Sequence, residues 1–220
     1  MKLAVGGGQW AVGSRQWTAS ARQWAVALGV VALVGCSSGP PPPDSSSYVS
    51  EIATARDNLD KQFRQQPDEP IPPAKMAALL PLRYYPIDPA YRIPAVLQLS
   101  DERPVFEMPT STGTLRRYQL VGSLAFTFQG QPHTLGAFVP AGEAIVSLFV
   151  PFADLTTGTE TYSAGRYLDV HPTSTGYYTI DFNRAYNPYC AYNATYECPF
   201  PPASNRLKIP VTAGEKTPGA

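Results

Sequence analysis

From Ile93 onward the chain is cut into short runs of β-branched and aromatic residues by Gly, Pro, Asn and Asp, and this spacing limits the possible folds more than any other feature. The runs are AVLQLS, PVFEMP, LRRYQLVGSLAFTFQ, PHTLGAFVP, EAIVSLFVPF, GRYLDV, YYTIDFN and RLKIPV, with turn signals such as TSTG, QGQP and PAGE between them. Connections this short cannot hold the crossover helix that joins parallel strands. The runs are therefore expected to pair as antiparallel hairpins. SLAFTFQGQPHTLGAFV is the clearest of them: Leu124, Phe126 and Phe128 alternate with Ala125 and Thr127, and QGQP reverses the chain. The expected class is mainly β, an antiparallel β-sandwich or open barrel with one N-terminal amphipathic helix.

That helix is read from Tyr48, Ile52, Ala55, Leu59 and Phe63, which recur every three or four residues with charges between them. It is predicted over 48–66, with Ser47 as its cap and Pro67 helping to stop it. The pattern is too short for a coiled coil, so the helix should pack on a sheet. The proline-dense stretch 67–94 then breaks every periodicity and allows only a turn or two of helix at AKMAALL. Its aromatic content argues for an ordered strap, with Tyr84, Tyr85 and Tyr91 packed down on the sheet. The β-rich domain thus spans 67–216, followed by a tail at 217–220.

The first 35 residues contain Lys2, Arg15 and Arg22 and no acid, and run into WAVALGVVALVGC, which ends at Cys36. A basic region before an apolar one of about a dozen residues is the pattern of an export signal, and it falls short of the roughly 20 residues of a membrane span. LVGC at 33–36 resembles the bacterial lipobox, and the resemblance implies that residues 1–35 are a signal peptide and that Cys36 is lipidated. SSGPPPPDSSS follows and cannot bury apolar area, so 36–47 reads as an extended tether. Removal of the leader leaves 14 Lys and Arg against 17 Asp and Glu, a net charge of about −3 with no basic block. Nucleic acid is thereby excluded as a partner, because phosphate binding needs clustered cations. The expected location is the cell envelope, with the membrane engaged through the lipid on Cys36. In a cell with two membranes, Ser37 and Ser38 rather than Asp after Cys36 resemble the signal for the periplasmic side of the outer membrane.

Four segments carry a family resemblance: YYPIDPAYRIPA (84–95), PTSTGTLRRYQLVGSLAFTFQGQPHTLGAF (109–138), LFVPFADLTTGTETYSAGRYLDV (148–170) and IDFNRAYNPYCAYNATYECPFPPASNRLKIPVTAGEK (180–216). Together they resemble the bacterial and archaeal family called domain of unknown function 1684. What the resemblance implies is a secreted or envelope-associated domain, with no established activity and no catalytic residues to carry over.

An exported chain meets an oxidising compartment, so Cys190 and Cys198 are expected to form a disulfide. Closing a loop of about nine residues restricts the unfolded chain by roughly 2–3 kcal/mol. Zinc sites space their cysteines two to four apart, whereas seven residues intervene here, and His133 and His171 have no partner histidine. The absence of Cys-x-x-Cys also argues against a redox motif. No metal and no cofactor is called for.

Two clusters are candidate sites. The loop RAYNPYCAYN offers Tyr186, Tyr189 and Tyr192 beside Asn187 and Asn193, chemistry suited to stacking on a sugar or gripping a peptide, or else to covering a sheet and satisfying turn backbone. Asp154, Glu160, Arg166, Asp169, Asp181 and Arg184 form the second. Asp154, Glu160 and Asp181 are candidate catalytic carboxylates of a hydrolase acting on an envelope carbohydrate or ester. Arg166 and Arg184 are candidate binding residues, or ion-pair partners of those acids. Three roles stay open: a binding domain for an envelope ligand or partner protein, a hydrolase, and a purely structural envelope protein.

Overall fold

The computed structural model describes residues 45–66, 70–173 and 175–219. The expected signal peptide, most of the expected tether, Cys36 and Pro67 lie outside these residues. Helix α1 covers Ser45–Gln65 and buries Tyr48, Ile52 and Phe63, one stripe of the expected face, while Ala55 is exposed. It starts at Ser45, so Ser47 lies inside the helix rather than capping it. A short helix α2, Pro73–Leu79, sits where AKMAALL allowed one. The strap then runs in the open, with Tyr85 and Tyr91 buried and Tyr84 half-buried. It pairs with the C-terminal segment: the Tyr85 amide donates to Gly214 O (2.9 Å), and the Lys216 amide to Arg83 O (2.8 Å).

Seven strands follow: β1 Arg92–Leu99, β2 Val105–Pro109, β3 Leu115–Phe128, β4 Gln131–Pro140, β5 Leu148–Phe152, β6 Arg166–Val170 and β7 Tyr178–Asp181. They form one antiparallel sheet in the order β6-β5-β4-β3-β1-β7, with β2 attached to β3 beyond the end of β1. The sheet curls into a nearly closed barrel. Its two edge strands meet just past β7, where Tyr167 and Tyr186 exchange backbone hydrogen bonds of 2.9 and 3.1 Å. The β3–β4 hairpin turns on Gln129 (φ 51°) and Gly130 (φ 76°), the left-handed pair of a two-residue turn. β3 carries a bulge between Leu120 and Gly122, and a Cβ on Gly122 would lie 2.2 Å from Gln98 O. Glycine there lets β1 approach β3.

RLKIPV does not become an eighth strand. Pro210 lacks an amide donor, and the segment instead hooks under the barrel: the Leu207 amide donates to Ala153 O (2.8 Å) and Val211 to Asp154 Oδ1 (3.2 Å). Leu207, Val211 and Ala213 thereby join Leu124, Leu135, Val150, Phe152, Leu168 and Ile180 in the barrel core. Asn205 fastens the hook, accepting from the Gly136 amide (2.7 Å) and donating to Gly136 O and Pro151 O (both 2.8 Å).

The strand period of two sends alternate residues outward, where this barrel is unusually aromatic. On β5, Leu148, Val150 and Phe152 face the core while Phe149 faces out. On β6, Leu168 and Val170 face in and Tyr167 faces out. With Tyr118 and Phe138 these form an outer aromatic face, on which Tyr118 stacks on Phe149 at 5.2 Å.

Candidate tyrosine-lined cavity

The segment after β7 folds over this outer face and borders an open cavity of about 630 Å³. One wall is the barrel exterior: Tyr118, Phe149 and Tyr167. The facing wall is the loop, with Tyr186, Tyr189, Tyr192 and Tyr196. Phe63 of α1 closes the side, edge-on to Tyr189 and Tyr192 at 6.5 and 5.8 Å. Rings meet near right angles across the corners, Tyr167 with Tyr186 at 89° and Tyr189 with Tyr196 at 79°. Edge-to-face packing of this kind fixes each ring by its neighbour's quadrupole.

Glu215 forms the floor. It is fully buried, accepts from the Tyr192 hydroxyl, and accepts from the Asn187 amide at 2.9 Å. Burial pushes its carboxyl up to about 7, against the pull of those donors and of Arg166. At the rim the Tyr186 hydroxyl donates to Asp169 (2.9 Å) and Arg116 pairs with Glu197 (2.6 Å). Burial, then the adjacent carboxylate, holds the Tyr186 and Tyr192 phenols well above their ordinary range. Asn187 donates to Lys216 O (2.8 Å), and its own Oδ1, buried, has no hydrogen-bond partner. Asn193 closes an Asx-turn on Thr195, the turn-satisfying role.

Of the sequence candidates, Arg184, Tyr186, Asn187, Tyr189 and Tyr192 all line this cavity. Arg166 does not. It is 0% exposed inside the barrel, donating to Asp154 (2.9 Å), Val211 O (2.9 Å), Ala213 O and Glu215 O. Its neighbours on β6 explain the difference, since Tyr167 and Asp169 point to the cavity and Arg166, one residue off, points to the core. The three candidate catalytic acids do not converge. Asp154 is bound to Arg166 and caps the Thr156 amide at 2.8 Å. Glu160 pairs with Lys216 at the surface (3.7 Å). Asp181 accepts from Tyr48 of α1 (2.7 Å) and lies 3.4 Å from Arg184, which also pairs with Glu51. Each carboxylate has a basic or hydroxyl partner, and no pair of them faces a common space where an acid and a base could act together.

Cys190 and Cys198 stand side by side, buried and as free thiols, where the sequence reading expects a disulfide. The Cys190 amide donates to Cys198 Sγ at 3.1 Å, and the Tyr162 hydroxyl approaches Cys190 Sγ at 3.8 Å. The Cys198 thiol, donating toward Cys190, lowers Cys190 to about 6 in spite of burial, and Cys198 is raised in return. The two side chains are thus in hydrogen-bond contact, and their oxidation state depends on the surrounding redox poise. Cys198 itself lines the cavity. Among the described residues no three His, Cys, Asp or Glu side chains gather as a metal site requires. His133 lies on β4 against Phe126 (5.5 Å), and His171 sits by the seam between β6 and β7.

Sequence reasoning did not single out Tyr118, Phe149, Tyr167, Arg116, Glu197 or Glu215. Alternation along β3, β5 and β6 could have placed the first three on one face. Nothing local marks Glu215, because its burial comes from the strap and the loop closing over it.

A family model described as a protein of unknown function (DUF1684) matches residues 78–216. All of the cavity except Leu59 and Phe63 of α1 falls within that range. A solution NMR structure of an uncharacterized protein from Haloarcula marismortui is 38% identical, aligned over 79% of this chain and 96% of that one, with a TM-score of 0.63. No curated protein matches.

Proposed function

Because the chain belongs to the family of proteins of unknown function DUF1684, a membership that brings no activity with it, we infer its role from the cavity and propose a ligand-binding domain of the cell envelope. The observation that carries this reading is the open pocket of about 630 Å³, of the size that takes a small organic molecule, lined by eight aromatic rings and a few polar groups. Rigid tyrosines supply contact area at little entropic cost. The Tyr/Asn loop is the gripping element, and joining Cys190 to Cys198 in an oxidising compartment pins it. The domain sits on a membrane through a lipid on Cys36, a reading the lipobox-like LVGC supports, with residues 37–44 as the tether, since 45–47 belong to α1.

Titrating the isotope-labelled full chain with N-acetylglucosamine, choline and benzoate checks the binding role. At least one should shift the backbone amides of residues 186–198, with no comparable shift on the far side of the barrel. Silence of those amides to all three would refute it. Mass analysis of the membrane fraction should find an acylated Cys36 at the N-terminus; a soluble chain retaining residues 1–35 would refute the anchor.

A further inference from the structure

Resting on that binding role, we infer that the ligand carries an organic ammonium group, held among the tyrosine rings beside the Asp169 carboxylate.

The first ground is which polar groups are already committed. The hydroxyls of Tyr167, Tyr186 and Tyr192 donate to Pro199 O, Asp169 and Glu215. Their protons are not available to a polyhydroxylated ligand, which needs convergent donors and acceptors. What these residues leave to the space is their rings. A phenol that donates to a carboxylate is more electron-rich, and the face of such a ring attracts a cation more strongly.

The second ground is charge. Arg116 is paired with Glu197, and Arg184 with Glu51 and Asp181. Neither Asp169 nor Glu215 has an ion-pair partner among the described residues. An anionic ligand would have to take an arginine from its carboxylate, whereas a cation at the rim meets the exposed Asp169 carboxylate without displacing a base. Burial first, and the Asp169 carboxylate after it, holds the Tyr186 phenol above its ordinary range. Arg166 and Arg56 act on Glu215 from beneath, and Arg166 is itself committed to Asp154.

The third ground is geometry. Tyrosine pairs with rings at 89° and 79° to one another line the same pocket, so a cation entering it can meet more than one ring.

The test compares choline with 3,3-dimethylbutan-1-ol, the neutral molecule of the same shape, and with N-acetylglucosamine, each titrated into the labelled full chain. Choline should shift the amides of residues 186–198 and bind about tenfold or more tighter than its neutral counterpart. Asp169→Asn should weaken choline and leave the alcohol unchanged. Tyr189 is 44% exposed, so its replacement should leave the fold intact: Tyr189→Phe should keep choline binding and Tyr189→Leu should reduce it. Equal affinity for choline and the alcohol, or binding of the sugar alone, overturns the ammonium assignment and leaves the cavity as a binding site. If none of the probes used here or above moves the amides of residues 186–198, the binding role fails and this inference with it.

Discussion

Replacing Glu215 by glutamine should remove a specific part of the pH dependence of folding. In the unfolded chain this carboxyl ionises near 4.5, and in the folded chain burial moves it to about 7. Between those values only the folded state holds the proton. The group's contribution to stability is therefore complete below about pH 4.5 and is lost as pH rises through about 7, since the raised group favours the protonated, folded form. The displacement corresponds to about 3 kcal/mol. The groups that face the carboxyl are the Tyr192 hydroxyl, the Asn187 amide, Tyr84, Arg166 and Arg56. Glutamine keeps an acceptor for Tyr192 but meets the Asn187 N–H with a donor. That costs roughly 1–3 kcal/mol at every pH and does not change the slope. Urea denaturation of the full chain at several values between about pH 5 and 8 measures both effects. Wild type should lose about 2.5 kcal/mol more than Glu215→Gln across that interval, the rest of the loss falling below pH 5. Parallel curves for the two proteins would refute the reasoning, because they would show that Glu215 titrates alike in both states.

Arg166→Leu should destabilise the domain by about 3–5 kcal/mol, read from the urea midpoint, because it leaves Asp154 charged and unpaired in the core and three carbonyls without a donor. Alkylation of the exported protein without prior reduction should modify neither Cys190 nor Cys198. Two modified cysteines would refute the proposed disulfide.

The sequence by itself determined the class of fold. Short β-branched runs with turns between them admit antiparallel pairing only, and the Gln129-Gly130 turn together with Leu124, Phe126 and Phe128 set the register of the central hairpin before any tertiary contact is considered. The aromatic loop from Tyr186 to Tyr192 was equally legible, since its composition is local. What the tertiary structure decided was which face of each strand points where. On β6 both faces are covered, one by the core and one by the loop, so Arg166 and Asp169 look alike in sequence although one is entombed and the other lines the cavity. The same holds for RLKIPV, whose strand-like pattern lost to the Asn205 clamp and to a proline without a donor. Glu215 became the floor of a cavity only because the strap, the hook and the loop, far apart in the chain, close around it. Burial on that scale is a property of the assembled layers, and it is burial that turns an ordinary carboxylate into a group that titrates near neutrality.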